Sequence, residues 1–227
     1  MKINIDYIDN EIIITDDTIF NIEIENKTYF YRLISEFNAI ANGELVENIN
    51  FVDKYNNELT LLNRIDLYID YFNIDFNSKK VINSLYKMLK NNLNEENKIK
   101  INNYYSKIKN ILSKTFIDYN LSLVINDEFD LEMLFKMLKV SIKNKDNLFD
   151  NLLLLIDINS ILSNKLSLFL VFINLKQYLT NEELKEFYKY SLYNNVKIIL
   201  IDSQSYGTAN EYEKKLIIDN NLDEFLL

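Results

Sequence analysis

The chain contains no Cys, no His, no Trp and no Pro, and its only glycines are Gly43 and Gly207. Average usage would put roughly 7% Gly and 5% Pro in such a sequence. Without Cys or His there is no zinc or haem site, no thiol nucleophile, no Ser-His triad and no imidazole acid or base. With two isolated glycines, neither G-x-x-x-x-G-K-[ST] nor G-x-G-x-x-G can be written anywhere. Any metal must sit on carboxylates and carbonyls, which selects calcium or magnesium. Asn is abundant and is expected at the turn positions that Gly and Pro fill elsewhere. A membrane span is missing too: the most apolar stretch, Leu166 to Leu175, is about half the length one needs, and the opening MKINIDYIDN carries acids where a signal peptide has its apolar core. A cytoplasmic protein without membrane association is the expectation.

What is present suits one large or two small globular domains: 227 residues, 48% hydrophobic and 26% charged. The formal net charge of −9 is unevenly spread, with −10 over residues 1–75, +6 over 76–145 and −5 over 146–227. A basic patch can bind phosphate in an acidic protein because remote charges are screened beyond about 8 Å at physiological salt. A solvated lysine face on a helical insert would give the same count. Of the 25 cations 23 are Lys, and only Arg32 and Arg64 are Arg. Lys acts towards phosphate as a point charge and reads bases poorly, so any DNA binding is expected to be independent of sequence.

Along the chain, the first 25 residues alternate with a strand period and predict a meander of short strands. Thr28–Ala41 predicts a helix ending at Asn42-Gly43, followed by strands at 49–53 and 65–71. From Ser78 the period becomes helical: 79–93, then 96–118, as an antiparallel hairpin with Lys100, Lys107 and Lys114 on one face. A strand-like 121–125 leads to Asp127, a candidate cap for a helix 129–138, with Lys136, Lys139 and Lys143 on one side. Further on, 148–162 predicts an apolar helix. The apolar runs 166–173 and 196–201 flank the capping box Thr180–Glu183 and its helix as a βαβ unit in a parallel sheet. An α/β fold interrupted by a helical, basic middle follows.

Two fragments resemble parts of a nucleotide hydrolase. Asn26-Lys27-Thr28 lies between a strand and a helix, where a phosphate loop places its Lys-Thr, and the run 168–174 stands where a strand would end in a magnesium-binding acid. The first lacks glycine and the second ends in Asn174, so hydrolysis is not expected. Asp127, Glu128, Asp130 and Glu132 suit either part of a calcium site or the capping of a helix. Tyr104, Tyr105, Tyr188, Tyr190 and Tyr193 have the helical spacing of packing residues, with base stacking as the alternative.

Asp127-Glu128 ahead of Leu131, Leu134, Leu138 and Val140, the 148–162 helix, Leu168-Phe-Leu-Val-Phe-Ile-Asn174, Tyr178-Leu-Thr-Asn-Glu-Glu183 and Val196–Asp202 occur in the order and spacing of one family. The chain resembles the small DNA-end-binding adaptation protein of type II-A CRISPR systems, a Csn-type family acting in spacer acquisition. The resemblance implies an α/β head like that of ATP-binding-cassette ATPases without a functional phosphate loop (1–75 and 164–227) and an inserted helical leg (76–163). It implies no enzymatic activity and no nucleotide. It further implies a homotetrameric ring whose lysine-lined hole holds double-stranded DNA, supported by calcium and working with the system's integrase and effector nuclease. Lys136, Lys139, Lys143 and Lys145 carry over to the hole, and Asp127 and Glu128 to the metal. Relatives interleave acids in the preceding strand, where this chain has Ser122 and Val124. A degenerate nucleotide hydrolase and a scaffold without DNA contact are the rival functions.

Overall fold

The computed structural model describes residues 1–60, 64–116, 123–125, 129–162 and 168–227. In the N-terminal part, β1 (Lys2–Ile5) turns Ile3 and Ile5 inward and leaves Asn4 in solvent, while β2 (Ile12–Ile13), β3 (Ile19–Ile24), α1 (Lys27–Ala41), β4 (Ile49–Val52) and β5 (Ile65–Tyr68) follow. Half-buried alternation suits an antiparallel sheet with one wet face, and β1 pairs antiparallel with β2 and β4 in the order β2-β1-β4. The expected meander stops there. All six residues of β3 are buried, and a strand covered on both faces belongs inside a layered sheet.

The remaining elements are α2 (Lys79–Asn92), α3 (Glu95–Phe116), α4 (Leu131–Met137), α5 (Leu148–Ile161), β6 (Phe169–Ile173), a 3-10 turn at Leu175–Gln177, α6 (Asn181–Tyr193), β7 (Ile198–Asp202), β8 (Glu213–Ile218) and β9 (Glu224–Leu226). A six-stranded sheet has the order β5-β6-β7-β3-β8-β9. Its first five strands are parallel, with Phe20 opposite Ile199 and Ile22 opposite Leu216, and β9 closes one edge antiparallel. The βαβ unit β6-α6-β7 is present, and Thr180 with Glu183 forms its capping box.

Side chains alternate across each strand, so the sheet has two unlike faces. On one, Phe20, Ile22, Ile24, Val171, Ile173, Ile199, Ile201, Leu216 and Ile218 join Leu33, Phe37 and Ile40 of α1 and the inner residues of β1 and β4 in a single buried cluster. Phe51 links the layers, its ring centroid lying 6.4 Å from Phe37 and 6.0 Å from Phe169. The other face is covered by α6, whose Phe187 meets Phe172 edge-on at 5.5 Å, and α6 in turn packs on α5.

The chain divides into two compact units, Met1–Phe76 with Lys143–Leu227, and Asn77–Ile142. Residues 148–161 thus fall in the sheet-bearing unit rather than in the helical insertion 76–163 that the family resemblance implies. The cause is packing: Tyr190 of α6 donates to Asp157 of α5 at 2.6 Å, and Leu152, Leu155 and Ile156 are buried. In the helical unit, Asn77 closes the base by bonding both the N–H and the C=O of Ile142, at 2.8 and 3.0 Å. Here α2 packs on α4, with the Tyr86 and Phe135 rings 5.6 Å apart, in place of the expected hairpin packing of α2 on α3.

Candidate nucleic-acid interface

At the turn between β3 and α1, where Asn26-Lys27-Thr28 suggests a phosphate loop, the chain caps its own helix. Asn26 caps α1, its Oδ1 accepting from the N–H groups of Thr28 at 3.1 Å and Tyr29 at 3.2 Å, and Phe30 N–H bonds the Asn26 carbonyl. The donors that a phosphate would use are therefore engaged within the turn. Lys27 points to solvent. At the end of β6, Asn174 adopts a left-handed conformation (φ 55°), donates its N–H to Ile201, and accepts the Ser203 N–H on Oδ1 at 2.7 Å. It is a clip between two strand ends, a role for which a short amide is suited.

The lysines expected in the hole do not form one helical row. Sequence periodicity extends α4 through Leu138, but it ends at Met137 and Lys139 turns left-handed at φ 52°. Its N–H bonds the Lys136 carbonyl and the Val140 N–H bonds Phe135, the paired bonds of a Schellman end. Lys136 and Lys139 lie in the helical unit, whereas Lys143 and Lys145 lie in the sheet-bearing unit on a non-helical stretch. There the Asn151 amide grips the backbone of Lys145 on both its N–H and its C=O. All four side chains are exposed.

A continuous row exists instead on α3, where Lys100, Lys107 and Lys114 are exposed along 22 unbroken residues. Seven residues at a rise of 1.5 Å separate successive lysines by about 10.5 Å. Lys100 pairs with Glu96, and Lys107 lies over the Tyr104 ring at 5.5 Å. Of the candidate stacking tyrosines, Tyr104 and Tyr193 are exposed, Tyr105 packs on Phe129 at 4.9 Å, and Tyr188 is buried.

Asp127 and Glu128 lie outside the described residues, as do Leu121 and Ser122; Leu123–Ile125 form no strand. The cap of α4 is Asp130, not Asp127: its Oδ1 accepts the Glu132 N–H at 2.9 Å, and Glu132 faces Lys90 at 3.7 Å. Among the described residues no group of three metal-ligating side chains is assembled. Asp130 and Glu132 do not by themselves fit calcium.

One group of ionisable side chains escapes sequence inspection. Glu23, Asp202, Glu213 and Lys215 are buried within the parallel sheet. Their signal was charge within or at the ends of strands rich in isoleucine, IFNIEI, IILID and EKKLII.

The fold is an α/β protein with a largely parallel six-stranded sheet in one unit and a lysine-rich, all-helical second unit. Residues 43–222 match the family described as CRISPR-associated protein (Cas_Csn2), and the chain belongs to that family. It is similar to a CRISPR-associated protein Csn2 of Enterococcus faecalis, at 23% identity over 227 residues, covering 97% of this chain and 96% of that protein. A CRISPR-associated role in defence follows. Among the described residues no helix is long and apolar enough to cross a membrane.

Proposed function

We propose that the chain is a non-catalytic, sequence-independent binder of double-stranded DNA ends that acts as a homotetrameric ring in CRISPR spacer acquisition, alongside the integrase and the effector nuclease. The observation that carries this is the segregation of charge: the unit Asn77–Ile142 spans 11 Lys against 7 acidic residues in a chain of net charge −9. Exposed ammonium groups bind the phosphate backbone and release its counterions, and several copies around one duplex multiply the few phosphates that each subunit neutralises. A β3-to-α1 turn closed by Asn26 supports reading the sheet-bearing unit as an ATP-binding-cassette-like head without hydrolysis and Asn77–Ile142 as its leg. Calcium support of the ring belongs to the same reading, with Asp127 and Glu128 as its carboxylates.

The test is duplex binding by fluorescence anisotropy at two salt concentrations, with molar mass by light scattering with and without calcium. A salt-sensitive affinity that is equal on unrelated duplexes, carried by a tetramer, is the expected result. A monomer under all conditions, or no duplex binding at low salt, would leave the scaffold function. ATP turnover abolished by Lys27→Ala would establish the hydrolase.

A further inference from the structure

The face of the six-stranded sheet beneath α6 holds charges where apolar packing is the rule. Lys215 Nζ lies 2.8 Å from Glu23 Oε1, Lys176 Nζ lies 3.1 Å from the same oxygen, and Lys176 also pairs with Glu213. The Asn21 amide donates to Glu23 at 2.9 Å. Two ammonium groups thus balance two carboxylates, with side-chain exposures between 0% and 5%.

The loop 203–212, between β7 and β8, is fastened onto this cluster by its backbone. Tyr206 N–H donates to Glu23 Oε2 at 3.1 Å, Gly207 C=O accepts from Lys215 Nζ at 2.9 Å, and Asn210 N–H donates to Glu213 Oε2 at 3.2 Å. Each of the three bonds ends on a charged member of the cluster.

Asp202 is the odd carboxyl. It is fully buried in the last position of β7, beside Glu23 in the register, and neither oxygen has a hydrogen-bond partner among the described residues. The hydroxyl of Tyr188 and the Oδ1 of Asn21 share that state. The groups acting on Asp202 are Lys176 from the 3-10 turn, Glu23 from β3, and Glu213 and Lys215 from β8; Tyr71, Tyr188 and Tyr206 feel its charge in return.

We propose that Asp202 is a proton-operated latch: as the neutral acid it leaves Lys176 and Lys215 with Glu23 and Glu213 and the loop stays fastened, and as the carboxylate it draws Lys215 off the Gly207 carbonyl and Lys176 off Glu213, and the loop is loosened. The balance of charge requires this competition, because a third buried carboxylate must find a cation, and the cations acting on Asp202 among the described residues are Lys176 and Lys215, both already paired in the cluster. Burial pushes the Asp202 carboxyl up to about 7, with Lys176 and Lys215 lowering it and Glu23 and Glu213 raising it. Unfolded, the same group ionises near 3.9. The folded state therefore holds a proton that the unfolded state has lost, and its advantage fades as pH rises from about 4 to about 7.

Hydrogen exchange of the full-length protein between pH 5.5 and 8.5, corrected for the intrinsic pH dependence of exchange, reads the latch directly. Protection of the Tyr206 and Asn210 amides is expected to fall at least tenfold with a midpoint near pH 7, and to be constant in Asp202→Asn, which mimics the acid. Carboxyl carbon NMR of the unsubstituted protein is expected to show one aspartate titrating near pH 7. Protection that does not change with pH, a pH dependence that survives in Asp202→Asn, or carboxyl signals that all titrate below pH 6 would each overturn the proposal. Should Asp202→Asn not fold, the two measurements on the unsubstituted protein decide the matter.

Discussion

A buried ammonium that joins two carboxylates cannot be deleted without leaving charge behind. Lys176→Met leaves Glu213 without its ammonium partner and Glu23 with Lys215 alone, and breaking a buried pair of this kind costs about 3–5 kcal/mol. Urea unfolding at pH 7 should show that loss. Lys185→Ala is the contrast: its pair with Glu211 is solvent-exposed on both sides, and the change should stay within about 0.5 kcal/mol. The carboxyl of Glu23 also has a pH signature opposite to that of Asp202. Burial raises it, but the hydrogen bond from Lys215, the charge of Lys176 and the Tyr206 N–H together hold it below the usual carboxylate range. Its stabilisation is present above the unfolded value of about 4.3 and is lost as pH falls. Stability from urea unfolding should therefore decline on both sides of a maximum near pH 4, with a neutral-side slope of up to about 1.4 kcal/mol per pH unit that Asp202→Asn flattens. None of this was legible in the sequence. A Lys or Glu in a chain reads as exposed, and the partners Glu23 and Lys176 are 153 positions apart.

At the scale of elements, three helices end in the same way with three different residues. After α1, α4 and α6, the left-handed position is taken by Gly43, Lys139 and Asn195, and each is followed by a backbone bond reaching back across the last turn: Glu44 to Ala39, Val140 to Phe135 and Val196 to Ser191. Glycine holds that conformation without strain, asparagine holds it with little, and a lysine pays about 1 kcal/mol or more for its Cβ. Lys139→Gly is therefore predicted to stabilise the protein by roughly 0.5–1 kcal/mol, and Gly43→Ala to destabilise it by about 1–2 kcal/mol. Denaturant midpoints measured side by side would settle both. The same helix ends explain what the sequence concealed. The start of α6 was legible because Thr180 with Glu183 announces itself locally. The end of α4 carries no Gly or Pro, so hydrophobic spacing runs past it and places Lys136, Lys139 and Lys143 on a row that does not exist. The parallel core was legible too, since β6 and β7 are apolar runs. The departure of β3 from the meander needed the identity of its neighbours, β7 and β8, which lie far along the chain.

For the molecule as a whole, the question is which lysines meet phosphate. The sheet-bearing unit pairs lysines with its own acids, as in Lys2–Glu11 and Lys197–Asp16. The row on α3 is regular, and its spacing of about 10.5 Å lets successive ammonium groups meet phosphates several apart along a duplex with one charge per about 1.7 Å of axis. The triple variant of Lys100→Ala, Lys107→Ala and Lys114→Ala is predicted to weaken duplex binding equally on unrelated sequences. It should flatten the slope of log K against log salt by about 0.9 for every phosphate that is no longer neutralised. A second variant, Lys136→Ala with Lys139→Ala, tests the lysines of α4 and its end, and a third, Lys143→Ala with Lys145→Ala, tests those of the sheet-bearing unit. Lys214→Ala, on β8 and exposed, serves as the control and should change nothing. Weakening confined to the first two variants would assign DNA binding to the helical unit. Weakening confined to the third would move it to the sheet-bearing unit and refute the charge-segregation argument. If any variant binds less tightly only to particular sequences, base reading has entered and the point-charge mechanism fails. If all three keep both affinity and salt slope, phosphate is not what these lysines bind, because neutralised phosphates must appear in the salt slope whichever side chains supply the charge.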